Sequence, residues 1–370
     1  MEQLFFELIR VAIGTQDTLS RPPSKGEWAE LYAMAKKQSL VGICFSAVQK
    51  LTNNQEPITQ NLDEVQYLTW MGMAAKIQQR NEVVNAQCVE LQQMIEKEGF
   101  RTFIMKGQGN ATLYHDNLKL LRQSGDIDIY LEGGFDKVYD FVQRTHSTKE
   151  INELDIHYHC LPATEVEIHF RPFILRNPFK NARLQRFFDV AMIFDNKIAL
   201  PNGVGMINVP TAEFNLVQQM VHTYHHFITE GVGLRQLMDY CFVIMASSAD
   251  DVREGQKVVE SLGLNRFASA LMWVIKTVFV GHDNDDENDS IFPWKPCEKD
   301  GRLLLDEILL SGNFGHTDER AKDIQTSRWK AFWFVNGKTF RFWRFDHWAW
   351  FWSPVWRAYH FCWRKVKGFK

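Results

Sequence analysis

The sequence predicts an α+β fold, with a small sheet region set between two helical modules. Three observations carry this: apolar residues recur at three- and four-residue spacing from Met1 to about Gly99, period-two alternation replaces that spacing between residues 100 and 170, and helical spacing returns from Pro210. At 370 residues the chain is long enough for two or three packed units. Its 45% hydrophobic and 24% charged residues exclude disordered, collagenous and coiled-coil classes.

In the first module, residues 1–99, one helix is marked by Leu4, Leu8, Val11 and Ala12 and a second by Trp28, Leu31 and Ala35, with Arg21-Pro22-Pro23-Ser24 between them. Thr52 to Pro57 separates that second helix from a long one, Asp63 to Glu98, which stops at Gly99. Within residues 100–210, Phe100 to Met105 reads as a strand. In Asp126-Ile127-Asp128-Ile129-Tyr130-Leu131 polar and apolar residues alternate, which predicts a strand with one face buried. Phe135 to Thr145 reads as a helix, and Val166 to Phe170 as a third strand with Glu165, Glu167 and His169 on one face. The third unit, residues 211–326, opens with Thr211-Ala212-Glu213 as a capped start and continues with helices at about Leu234–Ala246 and Arg253–Val280. The acidic run Asp283 to Asp289 loosely resembles a calcium loop, but it lacks the glycine such a loop needs and reads as a solvated loop.

The six cysteines are never closer than 44 residues, so neither a CxxC metal pair nor a disulfide framework is visible, and a reducing compartment fits. Met1 to Glu7 carries acids where a signal peptide carries bases, and the expectation is a cytoplasmic protein. No uncharged apolar stretch is long enough to span a membrane.

Residues 327–370 differ from the rest: ten Lys/Arg face one acid, Asp346, and eight of the twelve tryptophans lie here. This net +9 leaves −12 on residues 1–326. Three readings follow. The tail packs on the helical unit with its bases matched to an acidic surface, or it contacts an anionic membrane at the inner face, or it stacks on nucleic-acid bases. The acidic body disfavours a nucleic-acid substrate.

The chemistry centres on Asp126 and Asp128, which as residues i and i+2 of a strand stand side by side. Two such carboxylates repel unless a cation joins them, and hard oxygen ligands suit Mg²⁺ held together with substrate phosphates. Two surface aspartates on a half-buried strand would look the same. A third acid, Glu167, on a strand of the same kind changes the weighing, because three carboxylates can hold two metals for in-line phosphoryl or nucleotidyl transfer. Its same-face neighbour Glu165 is the alternative third ligand. Lys106 and Gly107 fit a turn that brings an ammonium and backbone N–H groups to a phosphate, and Arg122 and Ser124 stand just ahead of the aspartates to add contacts.

Lys106-Gly107, Leu113-Tyr114, Arg122, Gly125-Asp126-Ile127-Asp128-Ile129 and Val166-Glu167-Ile168-His169 together resemble the uncharacterised bacterial nucleotidyltransferase family of the DNA polymerase β-like superfamily. The flanks agree, through Glu27-Trp28-Ala29 to Leu40-Val41 and Gly233 to Asp239, so the resemblance covers residues 1–280. It implies a small mixed-sheet palm flanked by helical modules. It also implies that Asp126 and Asp128 bind two Mg²⁺ ions, with Mn²⁺ as a substitute, that Glu167 binds the catalytic ion and helps deprotonate the acceptor, and that Lys106 and Gly107 lie on the phosphates of an NTP such as ATP. The superfamily's Gly-Ser or Gly-Gly pair is replaced here by Gly107-Gln108.

Other candidates are weaker. His222 and His226 lie four apart on a helix with His225 between them, but Thr223 stands where a zincin has Glu, which favours a packed or supporting role. His157, His159 and Cys160 lack a fourth metal ligand, and Arg235 and Asp239 form either an intrahelical pair or a nucleotide contact. The combined expectation is a Mg²⁺-dependent transferase that moves a nucleoside monophosphate from an NTP to a hydroxyl on a protein, small molecule or sugar. The rival is a non-catalytic palm scaffold that acts through its basic aromatic tail at a membrane or partner surface.

Overall fold

Capping boxes set two of the four α-helix starts in the N-terminal module. The computed structural model describes residues 1–54, 57–281, 292–313 and 328–367. Helix α1 (Glu2–Ile13) ends on Gly14 at φ 82°, α2 (Lys25–Lys37) starts with a Ser24/Glu27 capping box, and α4 (Glu64–Lys97) starts with an Asp63/Gln66 box. The single helix expected between Ser24 and Thr52 is in fact two, because the chain turns at Ser39 (φ 56°) before α3 (Val41–Asn53). Nothing local marks this turn. Gln38 holds it from a distance, donating to the Ile308 carbonyl at 3.3 Å and accepting from the Leu234 N–H at 2.9 Å.

The middle of the chain runs β1 (Thr102–Met105), α5 (Gly107–Ala111), β2 (Ile127–Leu131), α6 (Gly134–Thr145), β3 (Asp155–His157), β4 (Val166–His169), α7 (Pro178–Ala191), β5 (Lys197–Ala199) and β6 (Met206–Asn208). The main sheet has the order β1-β2-β4-β3, and β5 and β6 form a separate antiparallel pair. It is mixed: β2 and β4 are parallel, while β1 with β2 and β3 with β4 are antiparallel. One face, with Ile104, Ile127, Ile129, Val166 and Ile168, packs with Val84, Cys88 and Leu91 of α4 and Val138, Phe141 and Val142 of α6. The other face was expected to lie open along Asp126, Asp128 and Tyr130. Only Asp126, just ahead of β2, does so, because Tyr130 stacks on Phe103 (centroids 5.1 Å apart) and Phe194, and every residue of β2, Asp128 included, is buried. Strands β3, β5 and β6 were not foreseen, since three residues are too few to show a period.

Helices α8 (Ala212–Thr229), α9 (Leu234–Ala246), α10 (Ala249–Ser261), α11 (Asn265–Ile275) and α12 (Glu298–Ser311) form the next unit. The helix expected over Arg253–Val280 is broken at Gly263, whose φ of 66° suits glycine, and α11 runs on into a π-helical turn, Lys276–Val280. The acidic run Asp283 to Asp289 lies outside the described residues.

The tail forms α13 (Arg328–Arg341) and α14 (Ala349–Val366) and packs on the body. Phe342 and Phe345 insert against Phe227 and Phe267. Lys338 and Arg341 both reach Glu307 at 3.2 Å, and Arg344 reaches Asp300 at 3.1 Å. Asp346, the tail's one acid, pairs with Lys180 at 2.9 Å and accepts from the Tyr224 hydroxyl at 3.1 Å. The packed reading of the tail therefore describes the structure, with the phenylalanines Phe342 and Phe345 in the core. Trp333, Trp343, Trp348 and Trp350 face outward. Among the described residues no helix is long and apolar enough to cross a membrane.

Candidate active site

The site grows from the end of β1. There the backbone makes a turn with positive φ at Lys106 (47°) and Gly107 (29°) and enters α5. The turn brings the Lys106 ammonium to 2.7 Å from Asp128 Oδ1, and His169 Nε2 lies 2.8 Å from the same oxygen. Parallel pairing sets Asp128 of β2 directly opposite Glu167 of β4, with His169 two residues further on the same face. Glu167 lies 3.6 Å from His169 Nε2 and 3.8 Å from His157 Nε2. On the far side, Lys106 Nζ is 3.4 Å from His222 Nε2, which is 3.0 Å from His226 Nε2, and His226 Nδ1 is 3.2 Å from Glu230.

Crowded like charges set the ionisation of this cluster. The Asp128 carboxylate, then burial and Glu167, push Asp126 up to about 6. Burial would raise Asp128 too, but Lys106 and His169 overcome it and hold that carboxyl well below the ordinary range. Burial opposes the charge on His169, yet its hydrogen bonds to Asp128 and Glu167 push it up to about 9. His222 is held neutral, far below its usual value, by burial and by the Lys106 charge.

These groups line a cavity of about 970 Å³, at the upper end of the range for ligand sites. The palm forms one wall and α8 and α9 another, and the tail adds Phe334, Val335 and His360 to the lining. Asp126, Asp128, Glu167, Lys106, Gly107 and Arg122 all reach the cavity, whereas Ser124 does not. The Ser124 hydroxyl is buried with no hydrogen-bond partner. Glu165 is exposed and off the cavity wall, so of the two candidate acids Glu167 is the one that faces the cluster.

Among the described residues, two groups have potential metal-ligand atoms within 4.8 Å of one another: Asp128, Glu167 and His169, and Asp155, His157 and Glu167. Asp126 is in neither, although it opens onto the same cavity. The donor set is mainly carboxylate oxygen with an excess of negative charge, as the raised Asp126 records, and it fits a hard divalent cation such as Mg²⁺.

The arginines divide by role. Arg122 is buried in a two-pronged pair with Asp239, with both contacts at 2.7 Å, and Asp239 also accepts from the Tyr114 hydroxyl at 2.6 Å. Asp239 is thus engaged from the loop ahead of β2. Arg235 donates to the Gln123 carbonyl at 2.7 Å and is brought down to about 10 by burial and by Arg122. Of the His157, His159 and Cys160 trio, only His157 reaches the acidic cluster; His159 faces Glu150 at 3.5 Å, and burial pushes the Cys160 thiol up to about 11. His169 had no assigned role in the sequence, although its place two residues after Glu167 put it on the same face.

Residues 24–280, well over half of the chain, match an uncharacterised nucleotidyltransferase family. The chain belongs to this family. The family match takes in the whole carboxylate cluster, Lys106, the histidines of α8 and the Arg122–Asp239 pair, and it ends before the tail. A crystal structure of an antigenic nucleotidyltransferase-like protein from Paracoccidioides brasiliensis is 13% identical, with a TM-score of 0.30, over 53% of this chain and 93% of that one. No curated protein matches the chain.

Proposed function

We propose that this nucleotidyltransferase moves a nucleoside monophosphate from an NTP to a hydroxyl acceptor, with Mg²⁺ as its metal. The observation that carries the reading is the parallel register that sets Asp128 against Glu167 with the Lys106 ammonium on the same carboxylate. Asp126, Asp128 and Glu167 would hold two ions, Mg²⁺ or in its place Mn²⁺. Bound there, the metal supplies Lewis acidity that lowers the pKa of the acceptor hydroxyl and neutralises the leaving pyrophosphate.

The chain's own groups do the rest. Lys106 and Gly107 meet the phosphates, with Lys106 giving up its contact with Asp128 as charge arrives. Glu167 takes the acceptor proton, with His169 at 3.6 Å and His157 at 3.8 Å from its carboxylate. Arg235 adds a second cation on the cavity wall. Arg122 acts through Asp239 to hold the loop that carries Ser124, Gly125 and Asp126.

The test is calorimetric titration with each NTP, with and without Mg²⁺, on wild type and on Asp126→Asn. Metal-dependent binding that is weakened at least about tenfold in the variant is expected. Equal affinity in both would refute the site.

The outward face of the tail supports a separate reading, peripheral contact with a membrane at its inner, cytoplasmic surface. Trp333, Phe340, Trp343 and Phe361 are all more than half exposed. Lys338, Arg341 and Arg344 are engaged by Glu307 and Asp300, so the exposed aromatic side chains act in this contact beside the tail's remaining bases. Flotation with zwitterionic vesicles that is lost in a Trp333→Ser/Trp343→Ser variant is the expected outcome, and unchanged flotation removes the reading.

A further inference from the structure

Arg176, on the loop between β4 and α7, lines the same cavity. Its Nη1 donates to the Ser353 hydroxyl of α14 at 2.8 Å, and its Nε is buried with no hydrogen-bond partner. Among the described residues no carboxylate lies within ion-pair distance of it. Glu153 is the acid that most supports its charge, but the Glu153 carboxylate accepts from Trp356 Nε1 at 2.6 Å and lies 4.0 Å from His360. Two other arginines are instead held in two-pronged pairs, Arg122 on both oxygens of Asp239 and Arg266 on both oxygens of Asp300. A guanidinium with a buried N–H left unmet carries a desolvation cost that folded proteins rarely leave uncompensated. Glu230, which lines the cavity, adds a weaker favourable field, and two further groups sense the Arg176 charge. Arg357 lies close enough for the two guanidinium charges to oppose each other, and burial together with the Arg176 charge keeps His225 neutral.

Resting on the transferase reading above, we propose that Arg176 is the anchor of an acceptor subsite and binds an acidic group, phosphate or carboxylate, on the molecule that receives the nucleotide. The planar guanidinium fork matches either anion in two-pronged geometry. With the acid held at Arg176, the acceptor's hydroxyl lies within one continuous cavity with Glu167 and Asp128. Ser353, whose hydroxyl holds Arg176, lies beyond the family match at 24–280, so the tail helps position this subsite.

The probes are inorganic phosphate and succinate, titrated calorimetrically into full-length protein saturated with Mg²⁺ and the non-transferable analogue α,β-methylene-ATP, so that the palm end is filled. Wild type is expected to bind at least one of the two. Arg176→Gln should bind it at least about tenfold more weakly, with unchanged affinity for the analogue. Which anion binds identifies the acceptor's acid. Equal anion affinity in the folded variant, or no binding of either anion by wild type, overturns the proposal. If Arg176→Gln does not fold, Arg176→Lys, which keeps the charge but loses the fork, is expected to bind several-fold more weakly, and equal affinity again overturns it. If the analogue itself does not bind wild type, the transferase reading fails. Phosphate titration of nucleotide-free wild type and Arg176→Gln then still decides the subsite.

Discussion

Asp126 and Asp128, two residues apart, occupy opposite electrostatic positions, and their substitutions are expected to separate. Asp128 is buried between Lys106 and His169, so Asp128→Asn strands two cations and should cost about 3 kcal/mol, seen as a lower melting temperature, together with loss of nucleotidyl transfer. Asp126 is repelled by its neighbours, and Asp126→Asn relieves that repulsion. Its melting temperature should stay level or rise by about 2 °C while transfer is lost, and a large fall would contradict the charge argument. Asp126 is therefore the residue whose loss of activity reads cleanly as chemistry. A second residue-scale effect concerns pH. Burial, with the Arg176 and His226 charges, holds His225 neutral in the fold, while an unfolded histidine takes a proton near pH 6.5. The unfolded state then binds more protons below that pH, so the His225 contribution falls as pH falls, by up to about 1.4 kcal/mol per unit, and vanishes above pH 6.5. Melting curves from pH 7 to pH 5 should decline less steeply for His225→Gln than for wild type, and parallel declines would show that His225 is not the group responsible.

Single contacts between elements place the site. The Arg122–Asp239 fork ties the loop ahead of β2 to α9, and Tyr114 completes it. Asp239→Asn leaves a buried guanidinium poorly matched and should lower stability by about 3 kcal/mol and slow transfer even though Asp239 contacts no metal in the proposed site; denaturant titration with kinetics in parallel checks this. Helix α3 meets the segment before that loop at Gly42, where an added Cβ would lie 2.3 Å from the Leu121 carbonyl oxygen. Gly42→Ala should cost about 1–3 kcal/mol by forcing the two backbones apart, measurable as a shift in urea midpoint. At this scale α4, α6 and the catalytic strands were legible in the sequence, because each carries its own caps or a period long enough to count. The Ser39 turn was not, since its cause is Gln38 bonding to Leu234 and Ile308 some 200 and 270 positions away in sequence.

Across the whole molecule, the tail is part of the folded body. Removing residues after 326 would uncover Phe227 and Phe267 and leave Glu307 and Asp300 without Lys338, Arg341 and Arg344. Such a truncation should melt at least about 5 °C lower than the full chain and bind a hydrophobic dye, and an unchanged melt would show that the tail is dispensable for folding. Outward-facing tryptophan substitutions, which leave this core intact, are for that reason the sounder test of membrane contact. The sequence by itself determined the class of fold, the order of its units and the candidate ligands Asp126, Asp128 and Glu167, because side-chain alternation on short strands and the spacing of helix caps are local properties. Only the tertiary structure decided which charges meet: Lys106 with Asp128, Arg122 with Asp239, Glu167 facing the cluster while Glu165 faces out, and Arg176 left without a carboxylate in a cavity that the tail helps line. Pairing depends on strand register and on contacts between residues far apart in the chain, and no local pattern encodes either.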